Sequence, residues 1–118
     1  MFATRPYRGV FRQAPVAGDG TLGGWSTLYA GPWGDVRGSY FLNFYNEFAG
    51  DYAYAAATRT YGTGVWTDMR NASVCTAVQQ YRQDSVDAGH LALPGAPWPL
   101  ADCPSTFGNV DIWSATTG

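Results

Sequence analysis

The stretch GDYAYAAATRTYGTGVWTDMR, residues 50–70, decides how the chain is read. Tyr52, Tyr54 and Ala56 alternate along one face, the period of a strand, and a Gly-containing turn near Thr60 to Thr63 reverses the direction. The alanines at 55–57 favour helix by propensity, but a run bounded by Gly50 and Gly62 is too short to nucleate one. Val65, Trp66 and Thr67 then suit a buried sheet. Asp68, Met69, Arg70 and Asn71 do not, so the second strand ends in an abrupt change of polarity.

The surroundings agree with a strand-rich chain. The 118 residues suffice for a single domain, and the composition is 46% hydrophobic and 16% aromatic with 15 Gly and 7 Pro. Aromatics cover pleated surfaces and Gly permits tight reversals, so an all-β class is expected. All seven cationic residues are Arg and scattered, against a formal net charge of −2. That distribution offers no basic footprint, and nucleic acid is not an expected partner. No apolar run approaches the roughly 20 residues of a membrane span, and the opening MFATRPYRGVFRQ has Arg where an export signal needs an apolar core.

Working outward, residues 1–38 are punctuated by Gly and Pro, with short strands expected near Gly9–Gln13 and Trp25–Tyr29. The aromatic-dense segment 39–48 reads as a strand buried on both faces or the approach to one. Residues 72–108 form a long insertion. Val74, Val78 and Tyr81 fall at i, i+4 and i+7 and predict a short helix, whereas four Pro between 94 and 104 predict irregular chain. Asn109 to Thr117 closes with a strand.

Cys75 and Cys103, the only cysteines, belong to no metal-binding pattern and are expected to form a disulfide tying the insertion. A chain that wants an oxidising compartment yet shows no export signal is expected to be part of something longer. His90, the single histidine, has no Cys or His partner in sequence and is read as incidental.

Three ordered motifs carry a family resemblance: FAGDYAYAAA, then GVWTDMRN, then, after the insertion, NVDIWSA. Together they resemble the C-terminal blade of secreted bacterial sialidase-like (BNR-repeat) proteins, over about residues 46–117. The resemblance implies a partial β-propeller of one to two blades, with residues 39–118 as the C-terminal blade and 1–38 as the remnant of a preceding one. Further blades, from the parent chain or other copies, would close the ring. The segment GDGTLGGWS (18–26) has the residue types of an Asp-box without its spacing.

In a blade of this kind Asp51 and Tyr52 begin the first strand, Asp68 and Arg70 end the second, and Asp111 begins the third, so all five gather at the mouth face. Two chemistries fit the cluster. In one, Arg70 grips an anionic or hydroxyl-rich ligand, an Asp accepts hydroxyls or moves a proton, and Tyr52 stacks or acts as a nucleophile. In the other, which is preferred, an Asp pairs with Arg70 and backbone N–H groups and roots the insertion. Calcium is a third candidate, since carboxylates and loop carbonyls suit a hard cation. Trp98, between Pro97 and Pro99, is the aromatic expected to meet a sugar. The resemblance implies a parent that hydrolyses sialylated or related glycans, this chain alone being inactive; the alternative is a non-catalytic extracellular module binding glycan or protein.

Overall fold

Alternation in the N-terminal third builds a long antiparallel ribbon. The computed structural model describes residues 3–40, 47–50 and 53–117. Strands β1 (Pro6–Tyr7) and β2 (Val10–Gln13) make one limb, β3 (Ser26–Ala30) and β4 (Gly34–Asp35) the other. β2 pairs with β3 and β1 with β4, with a bulge at Phe11/Arg12. Nearer the tip Val16 bridges Leu22, and Gly20 turns the chain at a φ of 87°. A 3-10 turn, Val36–Gly38, follows β4.

The second unit is a three-stranded antiparallel meander. β5 (Tyr54–Ala57) pairs with β6 (Gly62–Asp68), and β6 pairs with β7 (Asp111–Thr116), so β6 is central. The turn between β5 and β6 is closed by Thr58, whose backbone N–H donates to Tyr61 O at 2.7 Å. Residues paired across a ladder share a face. Gly64, Trp66 and Trp113 therefore look one way, and Tyr54, Val65 and Ile112 the other.

The ribbon lies across the first of these faces. Phe11 packs on Gly64, and the rings of Tyr29 and Trp66 sit 5.8 Å apart. Gly9 passes directly against the Trp66 indole, where a Cβ would fall 1.8 Å from Nε1 and no other residue fits. Tyr7 adds a hydroxyl hydrogen bond to Thr67 O at 3.1 Å. On the opposite face Tyr54 is 68% and Ile112 72% exposed, while Thr67 is buried with Gly50 close against it.

Between β6 and β7 the chain makes a helical excursion. α1 (Thr76–Asp87) holds two residues of the predicted stripe, Val78 and Tyr81, buried together with Gln79, Arg82 and Ser85, whereas Val74 precedes the helix. α2 (Pro99–Asp102) is a single turn started by Pro99, whose missing N–H costs nothing at a helix start. That turn interrupts a segment expected to be irregular throughout. The disulfide Cys75–Cys103 joins the residues that cap α1 at its start and α2 at its end.

The fold is therefore strand-rich, in small sheets, with little helix. Among the described residues the sheets form no ring of blades, and the widest has three strands. The physical reason is that the ribbon's strands pair with each other and cross the meander's face instead of extending it. The strands expected near Gly9–Gln13 and Trp25–Tyr29 correspond to β2 and β3; most of the segment 39–48, residues 41–46, lies outside the described residues. Buried apolar side chains among the described residues are Trp66, Met69, Cys75, Val78 and Tyr81, a small core where the end of β6 meets the insertion. The ribbon and the meander project from it. The radius of gyration is 18.4 Å and the extents 60 × 29 × 24 Å, against about 13–14 Å for the radius of a compact chain of this length.

Candidate functional site

Asp68 is the last residue of β6 and stands opposite Asp111, the first of β7. An aspartate can accept the backbone N–H two residues on, which turns the chain and brings the i+2 side chain back over the carboxylate. Asp68 does both with Arg70. Oδ1 accepts the Arg70 backbone N–H at 2.9 Å and its Nε at 2.7 Å, while Oδ2 accepts Nη2 at 2.7 Å. The arrangement is bidentate and charge-assisted. The Arg70 guanidinium holds the Asp68 carboxyl below the usual carboxylate range, against the opposing effect of burial. The Trp66 indole N–H pulls weakly in the same direction without meeting hydrogen-bond geometry to any described partner.

Arg70 reaches further. Its Nη2 also donates to the Tyr29 hydroxyl at 3.1 Å, and its guanidinium carbon lies 3.6 Å from the Trp113 ring centroid. One ion pair thus connects β6, β7 and the ribbon. It is sheltered, with side-chain exposures of 1% for Asp68 and 13% for Arg70. Asn71 donates to Asp111 Oδ2 at 3.2 Å, and Ser73 and Thr106 exchange hydrogen bonds, so both roots of the excursion are fastened.

The same device occurs a second time. Asp35 accepts the Arg37 backbone N–H at 3.0 Å and holds its guanidinium through both oxygens. Arg37 depresses the Asp35 carboxyl in the same way. In sequence the two copies read Trp33-Gly34-Asp35-Val36-Arg37 and Trp66-Thr67-Asp68-Met69-Arg70, a W-x-D-x-R repeat that a search for internal repetition finds and that reading WTDMR alone misses. In space the copies lie side by side. A Cβ on Gly34 would fall 2.4 Å from Met69 O, and one on Gly38 would fall 2.9 Å from the Ala72 Cβ. The first copy also supports the helix: Arg82 donates to Arg37 O at 3.1 Å and to Ser39 O at 2.7 Å. Burial lowers the Arg82 pKa.

Of the predicted site residues, Asp68, Arg70 and Asp111 come together at one end of the meander. Asp51 and Tyr52 lie outside the described residues. Trp98 stands apart in the excursion, 65% exposed, and its backbone N–H donates to Asp102 Oδ2 at 2.6 Å. Among the described residues no group of three or more His, Cys, Asp or Glu is placed to hold a metal ion, and Asp68 turns both oxygens to Arg70. No helix of the described residues is long and apolar enough to cross a membrane. No family profile, curated protein or solved structure matches the chain.

Proposed function

We propose that this chain is a non-catalytic interaction module, the terminal portion of a secreted sialidase-like propeller protein, in which the Asp68–Arg70 pair is a latch. The observation that carries this reading is the commitment of Arg70. Its Nε and Nη2 are bound to Asp68 and Tyr29, and its face is stacked on Trp113. The edge that would fork onto a ligand's carboxylate already grips a carboxylate of the chain itself. Asp68 is equally engaged, and an aspartate held ionised by a permanent cation is poorly suited to move a proton near neutral pH.

Binding in place of chemistry is supported by the surface. Trp25 and Trp33 are each 59% exposed, and the meander adds the exposed side chains of Tyr54 and Ile112. Scattered apolar exposure is ordinary, but exposed aromatic residues on and beside projecting strands favour contact with a partner or with further blades. Trp98 offers a stacking face to a glycan. The disulfide supports an oxidising compartment.

The test is hydrolysis of a fluorogenic sialoside by the chain, run beside thermal unfolding of Arg70→Lys. No turnover above buffer and a lowered melting temperature are expected. Robust turnover would refute the non-catalytic assignment.

A further inference from the structure

The ribbon and the β5–β6 hairpin diverge beyond the Phe11–Gly64 contact and leave a groove of about 960 Å³ between them. One wall is the backbone run 11–16 with Trp25; the other is the run 55–63, including Ala55, Ala56 and Ala57 of β5. Two arginines, Arg12 and Arg59, line the groove, and among the described residues no carboxylate does. Neither arginine has a carboxylate partner among the described residues. Arg12 instead sits over the Trp25 ring at 5.8 Å. The groove is therefore locally cationic in a chain whose formal net charge is −2.

Its β5 wall has a further property. β5 is an edge strand, hydrogen-bonded to β6 on one side only among the described residues. Ala55, Ala56 and Ala57 are exposed and carry nothing larger than a methyl group. An edge strand of small side chains presents its backbone N–H and C=O groups as a template for another strand. Natural edges are blunted by charge, proline or bulges, and Ala55, Ala56 and Ala57 have none of these. Phe11, Trp25 and Tyr61 supply apolar surface for the alternate side chains of whatever pairs there.

We propose that this groove binds an extended acidic peptide segment of a partner protein, which adds to the β5 edge through its backbone and turns its carboxylates toward Arg12 and Arg59. The backbone pairing supplies sequence-tolerant affinity, while the two guanidinium groups and the aromatic wall select acidic segments with alternating apolar residues. This deepens the interaction-module reading and rests on it. The sialoside assay tests that reading by itself, so the two can fail separately.

The experiment is fluorescence anisotropy with a labelled acetyl-(Glu-Val)4-amide probe, the matching (Lys-Val)4 probe, and a (Glu-Val)4 probe N-methylated at alternate residues. The acidic probe is expected to bind, the lysine probe to bind at least tenfold more weakly, and N-methylation to weaken binding at least tenfold. The last two comparisons use the unaltered chain, so no folding defect can mimic them. Arg12→Gln with Arg59→Gln is expected to weaken the acidic probe by about tenfold or more with an unchanged melting temperature. No binding of the acidic probe up to millimolar concentration, equal binding of the lysine probe, or indifference to N-methylation each overturns the proposal. Tight binding of sialyllactose at the same arginines without peptide binding would assign the groove to a saccharide instead, and binding explained by self-association in sedimentation would assign it to a second copy.

Discussion

Gly34 is pressed against the carbonyl of Met69, so closely that a Cβ would stand 2.4 Å from that oxygen and 2.9 Å from the Arg70 nitrogen. Both obstacles are backbone atoms within the second W-x-D-x-R turn, and neither can rotate away. Gly34→Ala is therefore expected to force the two turns apart and cost about 1–3 kcal/mol. Gly24→Ala, where nothing lies within 4 Å of the new methyl group, is the control. Chemical denaturation of the two variants checks the contrast.

Asp68→Asn keeps the shape of the side chain and removes the charge that holds Arg70. The melting temperature is expected to fall by roughly 5–10 °C, since losing a partner of a sheltered ion pair is among the larger single-residue effects. Arg70→Lys keeps the charge but cannot make the bidentate contact or stack flat on Trp113, and is expected to destabilise as well. Asp111→Asn, which among the described residues touches only the exposed Asn71 side-chain contact, is expected to change little. If Asp68→Asn melted like the parent, the pair would be no latch.

Acid should act through the same two turns. The carboxyls of Asp35 and Asp68 are both held low by their arginines, so in the folded chain they stay ionised where the unfolded chain, with aspartates near about 3.9, has begun to bind protons. Their contribution is fully present above the unfolded value and is lost as pH falls through the folded ones. The melting temperature is expected to hold from neutrality to about pH 5 and fall steeply below about pH 4. Asp68→Asn should show a shallower fall. Tyr7 acts at the other extreme: burial, aided by Asp68, raises its pKa, so its contribution is present below about pH 10 and lost as pH climbs through the folded value.

Reducing the Cys75–Cys103 bond should loosen the excursion. On the chain-entropy view a crosslink with a sequence separation of 28 contributes about 3–4 kcal/mol. The double variant Cys75→Ser, Cys103→Ser is expected to lose stability of that order, and dithiothreitol should bring the parent chain to the same denaturation midpoint.

The meander was legible because its signals are local. Alternation through Tyr54 and Ala56, the Gly-flanked turn and the polarity break at Asp68 all lie within one short window. The α1 helix was legible for the same reason through Val78 and Tyr81, though not its start, which falls after Val74. What escaped was non-local. That residues 6–13 pair with 26–35 and then cross the face of β6 depends on Gly9 clearing the Trp66 indole, a contact that no periodicity announces. The partners of Arg70 are likewise distant in the chain: Tyr29 lies 41 residues upstream of it. The W-x-D-x-R repeat was within reach, and its first copy explains why β4 ends where it does.

The bond between Cys75 and Cys103 also bears on the order in which the chain can assemble. Pairing β6 with β7 requires closing a loop of about forty residues between Asp68 and Asp111, and contacts of that span are slow to form. Once the cysteines are joined, the shortest path between those aspartates is about fifteen residues, which removes about 1 kcal/mol of closure entropy. Oxidation before the meander forms would thus shorten the search for the last strand. The excursion that interrupts the sheet in sequence becomes the hinge that delivers β7 to it.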